Sequence, residues 1–386
     1  MGLQKTLNVG MVGCGFMGKA HSHAYTVVPL HFQPAAVPVK KAICDQNKEA
    51  VERAAAAYGW ESYETDWRRL VERKDIDLID ICTPTDSHRD IAVAAAEHGK
   101  HVFCEKPLAM NLGEVKEMLD AATKAGVKHL AGFNYRRVPA VALAKRLTEE
   151  GRLGRIYHWR AVYLQDWIVD PEFPLVWRLQ GTIAGSGALG DLGAHIIDLA
   201  QFLVGEIDCV SAVAETFIKE RPLPTASVGL SGASGQERGE VTVDDAVLII
   251  ARFKNGALGS FEATRFATGR KNFNCFEING SKGSIAFNLE KFSELEFLSQ
   301  EDDADWRGFR TILVSEPTHP YISAWWPPGH VIGWQEAHTN EVYDLCDCIG
   351  RDVMPSPSFA DGVRNQAVLD SAARSIETAQ WEKVPD

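Results

Sequence analysis

Residues 7–18 of the chain, LNVGMVGCGFMG, join a short apolar run to a glycine-rich turn. The apolar run has the character of a buried strand, and the pattern G-x-G-x-x-G that follows it is expected to open a helix near Met17. In such a unit the first glycine permits a tight turn, the second lets the backbone approach a pyrophosphate, and the third lets the helix pack on the strand. The unit predicts a dinucleotide site at the helix N-terminus. Its predicted cofactor contacts are Gly13, Gly15, Phe16, Met17 and Gly18.

The alternation of apolar runs and helical patterns continues to about residue 135. Strands are predicted at 7–12, 39–44, 78–82, 101–104 and 129–133. Helices are predicted at 49–58, 88–97 and 115–124, and each is followed by a glycine suited to a left-handed cap. Strand–helix–strand units at this spacing predict an α/β Rossmann domain over residues 1–135, with a doubly wound parallel sheet.

Asp45 ends the second predicted strand, where a carboxylate is expected to bind the adenosine ribose of the cofactor. It lies 27 residues after Gly18, beyond the usual interval of about 20, and an insertion around 29–38 accounts for the excess. A carboxylate here repels a 2′-phosphate, and no arginine follows directly. We therefore expect NAD rather than NADP as cofactor. A cap of the next helix is the alternative role for Asp45.

The pattern changes after about residue 150. Strands are predicted at 156–167, 247–253, 257–263, 273–278, 284–287, 295–298 and 310–314. Helices are predicted at 191–203, 336–349 and 359–381. The segment 219–243 is rich in Pro, Gly and Ser and is predicted to be a loop or mobile excursion. Residues 136–386 are thus expected to form an α+β domain with a large, mostly antiparallel, open-faced sheet, and its final helix is expected to pack back on the first domain.

The composition and charge of the chain argue against several classes of protein. The 386 residues are 45% hydrophobic and 24% charged, as in ordinary globular proteins, and the net charge of −12 disfavours a nucleic-acid partner. No run of 18 apolar residues is present, so we expect no membrane span, and the polar start is not typical of a signal peptide. Eight cysteines without a CxxC pair predict reduced thiols in a cytoplasmic protein and no metal site.

Several candidate functional residues follow predicted strands. Thr83-Pro84 and His88 come after one strand, and Glu105-Lys106-Pro107 comes after the next. Ligands of doubly wound sheets bind at the carboxyl ends of the strands, so these residues are expected beside the cofactor. Asp191 and His195 lie four apart on a predicted helix and share a face, where the carboxylate is expected to orient the imidazole.

Together these motifs resemble the Gfo/Idh/MocA family of oxidoreductases. The resemblance rests on the glycine pattern, Thr83-Pro84 with His88, Glu105-Lys106-Pro107, and Gly187-x-x-x-Asp191-x-x-x-His195-x-x-Asp198, and it covers the chain from end to end. Within the family the chain is most similar to the levoglucosan (1,6-anhydroglucose) dehydrogenases and related sugar and inositol dehydrogenases.

The resemblance implies hydride transfer between NAD and a ring secondary alcohol of a sugar, anhydrosugar or inositol. It implies Lys106, Asp191 and His195 as the catalytic group, and either Lys106 or His195 could take the hydroxyl proton. Polyol binding needs amide and charged groups beside an aromatic floor. The residues near the motifs that supply this mixture are Asn134, Tyr135, Arg136, Tyr163, Gln165, Asp166, Trp167, Trp177 and Arg178.

Two other functions remain open at this point. One is an NAD-assisted glycosidase whose redox cycle is neutral, and the other is a non-catalytic NAD-binding sensor. For assembly, the alternation of apolar residues over 247–261 predicts an uncovered apolar sheet face. We expect such a face to hold a homodimer or homotetramer together.

Overall fold

The computed structural model describes residues 5–228 and 231–385. Its first part is a six-stranded parallel sheet in the order β3-β2-β1-β4-β5-β6, as predicted. The strands are β1 (Lys5–Val12), β2 (Ala36–Cys44), β3 (Ser62–Glu64), β4 (Leu78–Ile81), β5 (His101–Glu105) and β6 (His129–Gly132). The helices are α1 (Phe16–His31), α2 (Lys48–Tyr58), α3 (Trp67–Glu72), α4 (His88–Glu97) and α5 (Leu112–Ala125).

Local signals account for the helix ends in this part. The side chain of Asn47 accepts from the backbone N–H of Ala50 and caps α2, which ends at Gly59 with φ of 74°. Asn111 caps α5 in the same way, and α5 ends at Gly126 with φ of 68°. Each cap satisfies a backbone N–H that lacks a partner within its helix.

The second part is built on a nine-stranded sheet in the order β16-β15-β14-β13-β7-β12-β11-β8-β17. Neighbouring strands are antiparallel except for β7 and β12, which are parallel. The helices are α6 (Pro139–Glu149), α7 (Gly181–Ala184), α8 (Ala194–Leu203), α9 (Trp334–Gly350) and α10 (Phe359–Thr378). The strands are β7 (Ile156–Leu164), β8 (Ile207–Glu215), β9 (Glu220–Val228), β10 (Ser231–Glu240), β11 (Ala246–Phe253), β12 (Leu258–Thr264), β13 (Phe273–Gly280), β14 (Gly283–Asn288), β15 (Glu294–Ser299), β16 (Arg310–Leu313) and β17 (Glu382–Lys383).

The prediction of a loop over 219–243 is wrong. This segment forms the antiparallel hairpin β9–β10, with two irregularities in its register. Backbone hydrogen bonds between the two strands do not require residues of high strand propensity, so the Pro, Gly and Ser content misled the prediction. The short elements β3, α3 and α6 and the strand β8 were also missed, and the strand predicted at 156–167 ends at Leu164.

The two C-terminal helices return to the first part of the chain. α9 packs on α1, and α10 packs on α5 and β6 as well as on α8 and β8. One face of the large sheet packs against α6, α8 and α10, and β11 accordingly alternates buried and exposed residues. The other face exposes Val213, Leu248, Ile250 and Leu258. No helix among the described residues is long and apolar enough to cross a membrane.

Candidate active site

A cleft of about 1250 Å³ lies where the carboxyl edge of the parallel sheet faces the end of the large sheet. The predicted cofactor residues that line it are Gly13, Gly15, Phe16, Met17, Asp45, Thr83, Pro84, His88 and Glu105. The predicted catalytic residues Lys106, Asp191 and His195 line it as well. The cleft therefore brings together motifs that are up to 182 residues apart in the sequence, from Gly13 to His195.

The three glycines of the turn differ in how much space a Cβ atom would have. Gly13 has φ of +101°, and a Cβ there would lie 2.6 Å from the carbonyl oxygen of Cys82. A Cβ at Gly18 would lie 2.1 Å from the carbonyl oxygen of Gly13. A Cβ at Gly15, by contrast, would meet no heavy atom within 4 Å, so the backbone at the start of α1 is open to the cleft. This arrangement fits the pyrophosphate of a dinucleotide, which the free N–H groups of a helix N-terminus stabilise.

Asp45 lies at the end of β2 on the cleft wall. Its carboxylate accepts from the backbone N–H of Cys14 at 3.2 Å and from that of Asn47 at 3.0 Å. The alternative role of Asp45 as a helix cap does not hold, because Asn47 caps α2. Burial, together with the charge of Asp45, raises the pKa of Cys14 to about 12, so this thiol stays protonated.

His88 connects the two turns at the cofactor edge. Its Nδ1 lies 3.0 Å from the carbonyl oxygen of Pro107 and its Nε2 lies 2.9 Å from that of Thr83. Burial lowers the pKa of His88, and a neutral imidazole donates from only one nitrogen at a time. The contacts give His88 a part in fixing these turns, in addition to its place on the cleft wall.

Behind the cleft, His21 of α1 is buried between two carboxylates. Its Nδ1 donates to Asp80 at 3.0 Å and its Nε2 donates to Glu105 at 3.1 Å, while its ring stacks on Phe103. Burial alone would lower the pKa of His21, but Asp80 raises it well above its usual value. The imidazolium therefore links α1, which begins at the glycine turn, to the end of β5, which directly precedes Lys106.

Lys106 and Asp191 form an ion pair across the cleft. The Lys106 Nζ donates to Asp191 Oδ1 at 3.2 Å and to the Asp191 carbonyl oxygen at 2.8 Å. Arg265 donates from Nη2 to Asp191 Oδ2 at 3.1 Å. Burial alone would raise the pKa of Asp191, but Lys106, Arg265 and Arg178 hold it well below its usual range. Asp191 is thus a permanent anion that holds two cations.

The expectation that Asp191 orients His195 is not met. Asp191 lies in a π-helical turn at Leu189–Gly193, directly before α8, and its oxygens bind Lys106 and Arg265 instead. The Nδ1 of His195 is buried without a hydrogen-bond partner among the described residues, which leaves Nε2 as the nitrogen open to the cleft. Burial, and then the charge of Lys106, lowers the pKa of His195 well below its usual value. The imidazole is therefore neutral at physiological pH and can accept a proton.

The predicted polyol residues divide into two groups. Those that line the cleft are Asn134, Tyr135, Tyr163, Gln165, Trp167, Trp177 and Arg178. Tyr163 donates to the side chain of Asn272 at 2.7 Å, so Tyr135, whose hydroxyl is 2.8 Å away, donates to Tyr163. Gln165 donates to the same Asn272 oxygen at 3.0 Å. These side chains form a hydrogen-bonded wall beside His195.

Arg136 and Asp166 are the two exceptions, since neither belongs to the described cleft lining. Arg136 is buried and binds Asp198 through Nε at 2.9 Å, with Asp361 as a second partner. Asp166 binds Lys271 at 2.8 Å and the backbone N–H of Gly269 at 2.9 Å. Both residues hold parts of the chain together, a role that their position beside predicted motifs did not reveal.

Sequence reasoning missed several residues that line the cleft, chiefly Arg265, Lys271, Asn272, Trp334 and His338. Arg265 directly follows β12, whose last residue, Thr264, pairs with Leu164, the last residue of β7. Because these two strands are parallel, Arg265 and Gln165 lie at the same end of the large sheet. The sequence signal that could have identified Arg265 is its position, as a charged residue, just after the strand predicted at 257–263. Trp334 and His338 reach the cleft because α9 packs on α1, and no local pattern in the sequence indicates that contact.

One group of described side chains has the spacing of metal ligands, namely His21, Asp80 and Cys82. Both ring nitrogens of His21 already bind carboxylates, and the Cys82 Sγ lies 3.4 Å from Nδ1. Burial raises the pKa of Cys82, which disfavours the thiolate that a metal needs. The group is explained as a hydrogen-bonded ion-pair cluster.

The cleft is built from parts that also match known proteins. A model described as "Oxidoreductase family, NAD-binding Rossmann fold" matches residues 7–133, and one described as "GFO/IDH/MocA C-terminal domain" matches residues 141–286. The chain is 48% identical to a levoglucosan dehydrogenase of Pseudarthrobacter phenanthrenivorans over 99% of both chains. It is 28% identical to an inositol 2-dehydrogenase of Rhizobium meliloti over 96% of this chain and 97% of the other.

Solved structures agree over the full length. A levoglucosan dehydrogenase in complex with NADH and levoglucosan superposes with a TM-score of 0.94 at 48% identity, covering 99% of this chain and all of that one. An oxidoreductase domain protein from Kribbella flavida gives a TM-score of 0.94 at 51% identity, with the same coverage. The glycine turn, the paired Lys106 and Asp191 and these full-length matches lead to one conclusion: the chain belongs to the Gfo/Idh/MocA family of oxidoreductases, with an NAD-binding Rossmann fold at its N-terminal end.

Proposed function

We propose that the protein oxidises a ring secondary hydroxyl of a sugar, anhydrosugar or inositol, at C3 in a pyranose, and passes the hydride to NAD. The observation that carries this proposal is the position of the His195 imidazole beside the Lys106–Asp191 ion pair, in the cleft that the glycine turn also lines. The similarity to a levoglucosan dehydrogenase makes levoglucosan the first substrate to test.

The cofactor would be held by the open backbone of the glycine turn and by Asp45, whose carboxylate would accept from the hydroxyls of the adenosine ribose. When bound, NAD supplies a hydride acceptor at the reacting carbon. The chain's own residues supply the proton chemistry. His195 accepts the hydroxyl proton at Nε2, and Lys106 stabilises the negative charge that develops on the substrate oxygen.

Asp191 has a positioning part in this proposal. Its two carboxylate oxygens hold Lys106 on one side and Arg265 on the other, which fixes the ammonium near His195. Asn134, Tyr135, Tyr163, Gln165, Trp177 and Arg178 surround the place where a polyol would lie and supply donors, acceptors and an aromatic surface.

Assembly and location are part of the same proposal. The exposed apolar residues on the large sheet support a homodimer or homotetramer formed through this face. The eight cysteines are all free, which supports the cytoplasm as the compartment.

The test uses purified protein, NAD and a panel of levoglucosan, glucose and inositols, with NADH absorbance as the readout. Levoglucosan deuterated at C3 should give a primary kinetic isotope effect, and levoglucosan deuterated at C2 or C4 should not. An isotope effect at another carbon would contradict the C3 assignment. Cleavage of a glycoside without NADH accumulation would favour the redox-neutral glycosidase, and NAD binding without turnover of any sugar would favour the sensor.

A further inference from the structure

The hairpin β9–β10 and the segment 165–180 enclose a small apolar core of their own. This core consists of Ile168, Leu175, Val176, Leu179, Val241 and Val243. It is separate from the two larger cores that support the sheets. The backbone N–H of Leu175 donates to the carbonyl oxygen of Pro222 at 2.7 Å, so hairpin and segment are also joined through the backbone.

Arg221 of β9 is fully buried at this junction. Its Nη2 donates to the carbonyl oxygen of Ile168 at 2.5 Å, and its Nη1 donates to those of Asp170 at 2.8 Å and Phe173 at 3.3 Å. A guanidinium carries several donors in a rigid plane, so a single side chain can hold three carbonyl groups of one short segment. Burying this charge is costly, and the three contacts with carbonyl oxygens offset part of that cost, while Nε is buried without a hydrogen-bond partner among the described residues.

The segment that Arg221 holds continues directly into the cleft. Val176, Trp177 and Arg178 line the cleft, and the Arg178 guanidinium stacks on the Trp177 ring at 4.3 Å. The carbonyl oxygen of Arg178 accepts from Arg265 Nη1 at 3.1 Å. Arg221 itself is not among the cleft residues, so its influence on the substrate is indirect, and its three hydrogen bonds are to this segment.

We infer that Arg221 is a specificity-determining positioning residue, which fixes the 168–173 backbone so that Trp177 and Arg178 form the sugar-binding wall. This inference rests on the proposed function and deepens it. Because the glycine turn and Asp45 lie on other elements, Arg221 should affect the affinity for the sugar and leave NADH binding unchanged.

The experiment compares Arg221→Met and Arg221→Lys with the wild type, and Lys219→Met serves as the control. Lys219 directly precedes β9, is exposed, and pairs with Glu215 at 2.8 Å on the surface, away from the 168–173 backbone. In Arg221→Met the KM for the sugar should rise about tenfold or more, as expected for lost charged hydrogen bonds. The kcat and the Kd for NADH should each change less than about threefold. Arg221→Lys should recover part of the loss, and Lys219→Met should match the wild type.

An unchanged KM in Arg221→Lys and Arg221→Met, or an equal rise in the sugar KM and the NADH Kd, would overturn the inference. If Arg221→Met does not fold, the KM of Arg221→Lys decides. A wild type that turns over no sugar would refute the proposed function instead. In that case amide hydrogen exchange still tests the clamp: exchange should speed up over 165–180 in Arg221→Lys and stay unchanged over 13–18, and uniform rates would overturn it.

Discussion

Lys106 and Asp191 meet across the cleft, where the Lys106 ammonium lies 2.8 Å from the Asp191 carbonyl oxygen and 3.2 Å from its carboxylate. Lys106 follows a strand of the parallel sheet, and Asp191 lies in the π-helical turn before α8. The ion pair therefore joins the part of the cleft that is expected to hold the cofactor to the part that is expected to hold the substrate. Among the described residues no carboxylate binds His195, and burial, followed by the charge of Lys106, lowers its pKa, which keeps the imidazole unprotonated.

Replacing His195 with Ala, or Lys106 with Met, should lower kcat by about 10²–10⁴, the range for loss of a general acid–base or charge-stabilising group. The Kd for NADH, measured by fluorescence titration, should stay close to that of the wild type. An unchanged kcat in His195→Ala would exclude His195 as the base.

Replacing Arg265 with Met should lower kcat by about 10²-fold, since Asp191 would lose one of its two cations and Lys106 would shift. Arg270→Met is the matched control, because Arg270 is exposed and stacks on Phe273. Steady-state kinetics of both variants provide the check, and equal activities would remove Arg265 from the positioning of Asp191.

Replacing Asp45 with Ala or Ser should weaken the preference for NAD, because the carboxylate no longer repels a 2′-phosphate. Asp45→Asn keeps the size of the side chain and removes only the charge. The ratio of kcat/KM with NAD to that with NADP should fall in all three variants. A wild type with higher kcat/KM for NADP would show that the cofactor assignment is wrong.

Replacing Leu248 with Glu and Ile250 with Lys together should dissociate the oligomer, since both side chains are about half exposed on the open sheet face. Leu30→Glu is the control, because Leu30 is exposed on α1, away from this sheet. Sedimentation equilibrium measures the mass. Wild-type protein that sediments as a 42.5 kDa monomer at micromolar concentration would contradict the prediction.

Replacing His21 with Gln should destabilise the fold in a pH-dependent way. The pKa of His21 is raised in the folded state, so its stabilisation is complete below its unfolded pKa of about 6.5 and is lost as pH rises through the folded pKa. Urea unfolding of wild type and His21→Gln should therefore differ more at about pH 6 than at about pH 9. His23→Gln, an exposed change on the same helix, should show no such trend, and a constant difference for His21→Gln would contradict the ion-pair assignment.

Much of the fold follows from local patterns in the sequence. The period of apolar residues and the capping glycines place the strands and helices of the first part within a few residues, except for the short elements β3 and α3, because these signals act between neighbours in the chain. The Asn255-Gly256 turn predicts the β11–β12 hairpin for the same reason. The predicted contact of Asp191 with His195 was wrong because a spacing of four residues indicates a shared helix face and does not indicate which partner each side chain binds.

The sequence by itself determined the NAD-binding turn, the two kinds of sheet and the motifs that carry Lys106, Asp191 and His195. The tertiary structure alone decided three contacts: Arg265 binds Asp191, Arg136 binds Asp198, and Arg221 binds the backbone of Ile168 and Phe173. The physical reason is that these contacts join residues between 48 and 74 positions apart in the chain. Strand register and helix packing decide which of these distant residues meet in space, and short-range sequence patterns predict neither.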